Sequence, residues 1–256
     1  LRPVSWESPA YILEKIIAYE AVHAIDSWDD LRRRLEPADR RCFAFFHPAM
    51  PDEPLIFVEV ALTQGIARSI QALLAEGRKE KPAEEADTAV FYSISNCQPG
   101  LAGVSFGNSL IKQVAADLSQ QLPGIRTFVT LSPIPGFTRW LSKSGIDLKP
   151  ANGQALSALG AYFLAQAKDQ SGMPFDPVAR FHLGNGAILY QVHADADRSE
   201  KGLNQSAGLM VNYLYDLGRV AQNHEGFVTK GEIPTSPQVR ALCAEAQKLL
   251  KNEVSI

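Results

Sequence analysis

The sequence predicts a mixed α/β fold, and three observations carry that expectation. Short runs rich in β-branched and aromatic residues, such as Leu55-Ile56-Phe57-Val58-Glu59-Val60-Ala61-Leu62 and Thr88-Ala89-Val90-Phe91-Tyr92-Ser93-Ile94-Ser95, have the length and character of strands. Between such runs lie stretches with apolar residues at helical spacing, such as Leu110, Ile111, Val114 and Leu118. The two kinds then alternate: strand pair, helix, strand, glycine-containing loop, helix, strand, helix, strand. That order suits one shared core better than two separate ones.

The elements follow in chain order. Ser8-Pro9 opens a helix with serine at the N-cap and proline at the first helical position, and Ile12, Ile16 and Ile17 form its apolar stripe. Ser27 caps a second helix with Asp29 and Asp30 in its first turn, and Pro37 ends it. Cys42 to Phe46 and Leu55 to Leu62 are an antiparallel pair around a Pro- and Asp-rich turn from Pro48 to Pro54. Ile66 to Leu74 is helical, Gly77 to Glu85 is a charged loop, and Thr88 to Ser95 is the third strand. The loop from Gln98 to Asn108 runs directly into the Leu110–Leu118 helix, followed by the strand Thr127 to Leu131. Phe137 to Leu141 is a short helix, Gly145 to Gly153 a linker and Gln154 to Lys168 a longer helix. Asp176 to Gly186 is a compact segment ending in a glycine turn, and Ala187 to His193 is a strand. Asp195 to Gln205 is a polar loop, Leu209 to Tyr215 is strand or helix, and Ser236-Pro237 caps a final helix through Leu250.

Composition narrows the function classes. Of 256 residues, 46% are hydrophobic and 21% charged, with a net charge of -3, an ordinary balance for a soluble globular chain. No concentrated basic surface argues for nucleic acid. The cluster Arg32-Arg33-Arg34 with Arg40 and Arg41 reads as a solvated helix face. Three cysteines, Cys42, Cys97 and Cys243, with no CxxC, speak against a disulfide framework or a zinc site and for a reducing, cytoplasmic setting. No apolar run approaches the ~18 residues of a membrane span, and no signal peptide is read at the start.

Two positions and one loop could carry chemistry. In Leu131-Ser132-Pro133-Ile134-Pro135-Gly136 the prolines fix φ and remove N–H donors, so regular structure breaks here and the Ser132 hydroxyl stands at the mouth of a strand. Taken alone, the plainer reading is a turn serine. His182 lies beside Gly184-Asn185-Gly186, where an imidazole could serve as acid or base or simply bond a carbonyl. A hydrolase pairing of the two lacks the GxSxG elbow. The loop before the Leu110 helix offers glycines and a helix N-terminus, which suit a phosphate, yet it is neither Walker A nor GxGxxG. His23, His47, His193 and His224 have no metal-ligand spacing. Tyr213 and Tyr215 read as core aromatics, and Asp195 and Asp197 as loop residues.

Taken together, these segments resemble the catalytic, C-terminal domain of malonyl-CoA decarboxylases. The resemblance is sharpest in Leu131-Ser132-Pro133-Ile134-Pro135-Gly136-Phe137-Thr138-Arg139-Trp140-Leu141 and in Pro177-Val178-Ala179-Arg180-Phe181-His182-Leu183-Gly184-Asn185-Gly186-Ala187. It extends through Ala89 to Ser95, Leu110-Ile111-Lys112 and Gly208 to Tyr215, in the family's order. It implies a GNAT-like acyl-CoA N-acyltransferase fold with a mixed sheet and flanking helices. Residues 1–40 would be N-terminal helices joining a helical domain outside this chain, through which the protein homo-oligomerises. Residues 41–256 would be the catalytic domain. The implied reaction is malonyl-CoA to acetyl-CoA and CO2, with no metal or organic cofactor and neither membrane nor nucleic acid as partner. Carried over, Ser132 and His182 are the catalytic pair and Tyr215 supports them. Ala102, Gly103, Val104, Ser105, Phe106, Gly107 and Asn108 would hold the substrate's CoA pyrophosphate or thioester region. Two departures stand out: the animal members carry a glutamate where this chain has Ser105, and the Ser142–Leu156 segment is shorter, closer to the bacterial form. A GNAT-type acyltransferase and a non-catalytic acyl-CoA sensor are the alternatives.

Overall fold

The structure is a computed structural model that describes residues 1–101, 106–146 and 152–253. Its contacts divide the chain into two compact units, Leu1–Ala67 with Ala72–Val129, and Arg68–Gln71 with Thr130–Ile256, where the element order suits one shared core.

The first unit is built on antiparallel strands. A short β1 (Arg2–Val4), which the sequence pattern does not announce, pairs with β2 (Arg40–His47), placing Val4 opposite Cys42. β2 pairs with β3 (Met50–Thr63), and β3 with β4 (Thr88–Asn96), both antiparallel as expected. β5 (Thr127–Thr130) lies next to β4. The expected turn from Pro48 to Pro54 is mostly strand. Pro54 is accommodated where the β2–β3 register shifts around Phe46, a place where a residue without an N–H does least harm. A second shift places Glu59 opposite Ser93 and Val60 opposite Phe91, so Tyr92 is the extra residue of a bulge.

Helices α1 (Ala10–Tyr19) and α2 (Trp28–Leu35) cover these strands. Ile12, Leu13, Ile16, Leu31 and Leu35 pack in one cluster with Val4, Cys42, Ala44 and Phe57. Ser27 caps α2 by accepting the Asp30 N–H. Ser8 does not cap α1: the N-cap is Pro9, with no side-chain bond, and the Ser8 hydroxyl accepts from the Ser5 N–H instead. The helix expected over Ile66–Leu74 shrinks to α3 (Ile70–Leu73). In α4 (Phe106–Gln121), Leu110, Ile111, Val114 and Leu118 are all fully buried, as their spacing predicts.

The basic cluster departs from expectation. Arg34 is buried, donating to the carbonyls of His23 and Ala24, to Asp30 at 2.9 Å and to Glu59 at 3.4 Å. Arg40 is buried too and donates to the carbonyls of Asp39 and Leu73. A guanidinium with several donors can close loop ends that offer only carbonyls, and composition cannot tell that use from a solvated face.

The second unit carries β6 (Ser132–Pro133), α5 (Phe137–Ser144), α6 (Gly153–Gln166), α7 (Pro177–Gly184), β7 (Ile188–His193), α8 (Glu200–Ser206), β8 (Met210–Leu214), α9 (Val220–Lys230) and α10 (Pro237–Glu253). β8 pairs antiparallel with both β6, Ser132 opposite Val211, and β7, Leu189 opposite Tyr213. The ambiguous Leu209–Tyr215 stretch is thus a strand. Part of the expected polar loop Asp195–Gln205 is helix α8, capped by Ser199 onto the Gly202 N–H. α9 is absent from the expected elements altogether. α6 buries Ala158, Leu159, Ala161, Phe163 and Leu164, and a Cβ on Gly160 would lie 2.7 Å from Leu209 Cδ1. Among the described residues no helix is long and apolar enough to cross a membrane.

Candidate active site

The site is assembled in the second unit from three segments far apart in sequence. The first is the Ser132 turn. The strand breaks at Leu131 rather than after it, and Ser132-Pro133 rejoins the ladder against Val211 and Met210. The serine therefore does not stand at an open strand mouth. It is an internal, paired residue, only 6% exposed. A proline fits there because β6 is two residues long and needs few N–H donors.

The second segment is α7, where the sequence pattern shows only a compact stretch. Asp176 is its N-cap and Pro177 its first residue, the usual favoured order at a helix start. The buried Asp176 carboxyl has two duties: Oδ1 accepts from the Ala179 N–H at 2.9 Å, and Oδ2 accepts from the Gly136 N–H at 3.0 Å. One carboxyl thus ties the turn after Ser132 to the helix that carries His182. Burial pushes its pKa up against those backbone bonds.

The third segment is the end of β8 and the residue after it. Tyr215 brings its hydroxyl to 2.8 Å from His182 Nδ1. Tyr213 lies under the imidazole, ring centroids 4.6 Å apart at 24°. Its own hydroxyl is buried and has no hydrogen-bond partner among the described residues.

These segments bring Ser132 and His182 together: Oγ lies 3.2 Å from Nε2. Ser132 Oγ also donates to Thr130 Oγ1 at 2.9 Å, and Thr130 Oγ1 accepts the Tyr213 N–H at 3.1 Å. The Asn212 side chain donates to the Thr130 carbonyl at 2.7 Å. His182 is 4% exposed, and burial holds its pKa at about 3, against an ordinary 6.5, so the imidazole is neutral near pH 7. Its place in the last turn of α7 favours the cation, yet desolvation outweighs that effect.

Of the remaining candidates, Ala102, Gly103, Val104 and Ser105 lie outside the described residues, and Phe106, Gly107 and Asn108 form the first turn of α4 in the first unit. No group of three or more metal-ligating side chains gathers among the described residues, and Cys42, Cys97 and Cys243 are buried and free. His193 bonds Asn212 at 2.5 Å and His224 bonds the Gly184 carbonyl at 2.6 Å, both structural uses. Sequence reasoning singled out neither Thr130 nor Asp176, and it read Tyr213 as a core aromatic, which its burial bears out. A signal existed for Thr130 and Asp176: Thr130 sits two residues before Ser132, on the same side of an extended chain, and Asp-Pro is a helix-start pair.

Comparison with known proteins gives the family of the chain. The family model described as malonyl-CoA decarboxylase C-terminal domain matches residues 1–152 and 147–253. The mitochondrial malonyl-CoA decarboxylase of Anser anser anser is 38% identical over 97% of this chain, which spans 58% of that relative. The crystal structure of malonyl-CoA decarboxylase from Agrobacterium vitis is 51% identical, with a TM-score of 0.88 over 94% of this chain and 66% of that one. The loading GNATL domain of CurA from Lyngbya majuscula shares the fold alone, at 15% identity and a TM-score of 0.56, covering 85% of this chain and 96% of that one. The fold is therefore mixed α/β and GNAT-like, and by both sequence and structure the chain belongs to the malonyl-CoA decarboxylase family, matching its C-terminal domain.

Proposed function

We propose that the protein decarboxylates malonyl-CoA to acetyl-CoA and CO2, with Ser132 and His182 positioning the malonyl carboxylate and protonating the product enolate. The observation that carries this reading is the buried Ser132–His182 contact, anchored on the far side by the Tyr215 hydroxyl, in a chain of this family. Among the described residues, the side chains that bond His182 are Ser132 and Tyr215, and neither is a carboxylate. A serine nucleophile depends on a base raised and oriented by an acid, whereas decarboxylation needs no acyl-enzyme.

Losing CO2 from a malonyl thioester leaves the C–C electron pair as an enolate on the thioester oxygen. The thioester is its own electron sink, so the reaction asks for no metal or organic cofactor. The carboxylate must stand perpendicular to the thioester plane, and hydrogen bonds from Ser132 and His182 impose that orientation. A carboxylate brought against His182 favours the imidazolium, so one proton is taken up as substrate binds. The proton taken up occupies Nδ1, and after CO2 departs the imidazolium passes its Nε2 proton to Ser132 Oγ as the hydroxyl hydrogen passes to the carbanion. Neutral serine and neutral histidine are regenerated.

In this reading Ala102 to Asn108 hold the CoA pyrophosphate or the malonyl thioester region, a pyrophosphate being suited to the unpaired N–H groups of a helix start. The protein works in the cytoplasm and self-associates through a preceding helical domain. The test is incubation with malonyl-CoA and no acyl acceptor, following CO2 release and acetyl-CoA by mass. Ser132→Ala and His182→Ala are each expected to lower kcat on the order of 10²-fold or more, with a much smaller change in CoA affinity. Intact malonyl-CoA, or turnover only on adding an amine acceptor, would sink the reading, and near-normal turnover by either variant would remove that residue from the pair.

A further inference from the structure

We infer that Thr130 sets the direction of the hydrogen bonds running through Ser132, His182 and Tyr215, and so holds the resting His182 in its Nε2–H tautomer. Thr130 Oγ1 has two lone pairs, and both are taken. One accepts the N–H of Tyr213 at 3.1 Å, a group that can only donate. The other accepts from Ser132 Oγ at 2.9 Å, with the serine as donor.

The rest follows by counting hydrogens. Ser132 has one, and it points at Thr130. At 3.2 Å from His182 Nε2, the serine oxygen must therefore accept, so Nε2 carries the proton. A neutral imidazole has only one N–H, so Nδ1 is bare and accepts from the Tyr215 hydroxyl at 2.8 Å. Thr130 is itself held firmly: its carbonyl takes the Asn212 side-chain N–H at 2.7 Å, and Asn212 Oδ1 bonds His193 Nε2 at 2.5 Å. The chain of donors thus runs from Tyr215 through His182 and Ser132 to Thr130.

This polarity is the reverse of the one a serine nucleophile needs, where Nε2 must be bare to take the hydroxyl proton. Here the hydroxyl hydrogen rests on Thr130 until a substrate acceptor replaces it, and the imidazole N–H is already directed at the serine oxygen. Thr130 is accordingly a positioning residue acting through Ser132. The catalytic consequence rests on the decarboxylase reading, whereas the tautomer does not.

The experiment is nitrogen NMR of the 15N-histidine-labelled full chain near neutral pH, with the His182 signals assigned by their loss in His182→Gln. The wild type is expected to show a protonated Nε2 and a bare Nδ1. In Thr130→Val the serine hydrogen loses its acceptor and turns to Nε2, so the signals should exchange to the Nδ1–H tautomer. Thr130→Ser, which keeps a hydroxyl, should restore the wild-type pattern. With malonyl-CoA, Thr130→Val is expected to lower kcat about tenfold or more at nearly unchanged KM, and Thr130→Ser to stay within about threefold. An Nδ1–H tautomer in the wild type, or an unchanged tautomer in Thr130→Val, overturns the inference. Should the valine variant not fold, the wild type and Thr130→Ser decide it, since an Nδ1–H tautomer in either overturns it. A wild type that shows the expected tautomer but releases no CO2 overturns the decarboxylase reading and leaves the tautomer standing.

Discussion

Ser132 and His182 are 50 positions apart, and neither has local surroundings that demand chemistry. The turn that follows the His182 helix depends on a residue that permits close approach. Gly186, two residues past the end of α7, has φ of +81°, and a Cβ there would lie 2.1 Å from the Val220 carbonyl oxygen. Only glycine adopts that backbone freely, and only glycine leaves room for α9 to begin. Gly186→Ala should cost at least about 2 kcal/mol from the left-handed conformation and the clash together, read as a fall in the denaturant midpoint. A variant as stable as wild type would show that α9 shifts freely, and the close packing at Gly186 would then have no stabilising role.

At the scale of elements, Asp176 is the joint between the Ser132 turn and α7. Removing its side chain takes away a helix cap and leaves the buried Gly136 N–H without an acceptor. Asp176→Ala should destabilise the protein by about 2–4 kcal/mol, summing a cap and an orphaned donor. On the proposed decarboxylase reading it should also lower kcat for CO2 release more than it raises KM, because the Ser132–His182 distance is no longer enforced. Asp176→Asn, which can still accept through one oxygen, should lose less of both. Equal effects of the two variants would argue against the joint. Most strands and the long helices were legible from alternation and helical spacing, as the buried Leu110, Ile111, Val114 and Leu118 show. The short elements were not. α8 and α9 are polar outside, and β1 is three residues long; what makes each regular is a cap or a neighbouring strand, not its own pattern.

Across the whole molecule, two buried titratable groups give the two units opposite responses to pH. In the second unit, His182 has its pKa lowered from 6.5 to about 3 by burial. The unfolded chain then binds the extra proton first, so this contribution is complete above pH 6.5 and is lost as pH falls through 3. In the first unit, Glu59 is fully buried on β3 beside the Tyr92 bulge, and burial, with Glu20 nearby, raises its pKa from 4.5 to about 8 against the pull of Arg34. Its contribution is complete below pH 4.5 and is lost as pH rises through 8. Melting temperatures from pH 5 to 9 should therefore fall more steeply on the alkaline side in the wild type than in Glu59→Gln. Parallel curves would mean that Glu59 is already ionised at neutral pH.

The sequence by itself determined the mixed α/β class, the main strands and helices and, through motifs spread over most of the chain, the family, and it singled out Ser132, His182 and Tyr215 as site candidates. Those are properties of local pattern and of residue order, and each can be read along a line. Only the tertiary structure decided that Ser132 is a paired strand residue rather than a turn serine, that Arg34 and Arg40 lie inside, and that Thr130, Tyr213 and Asp176 surround the pair. The physical reason is that a neutral buried histidine, a shared carboxyl and a hydroxyl with both lone pairs taken are defined by what packs against them. Their partners come from segments tens of residues away, and no spacing along the chain records that meeting.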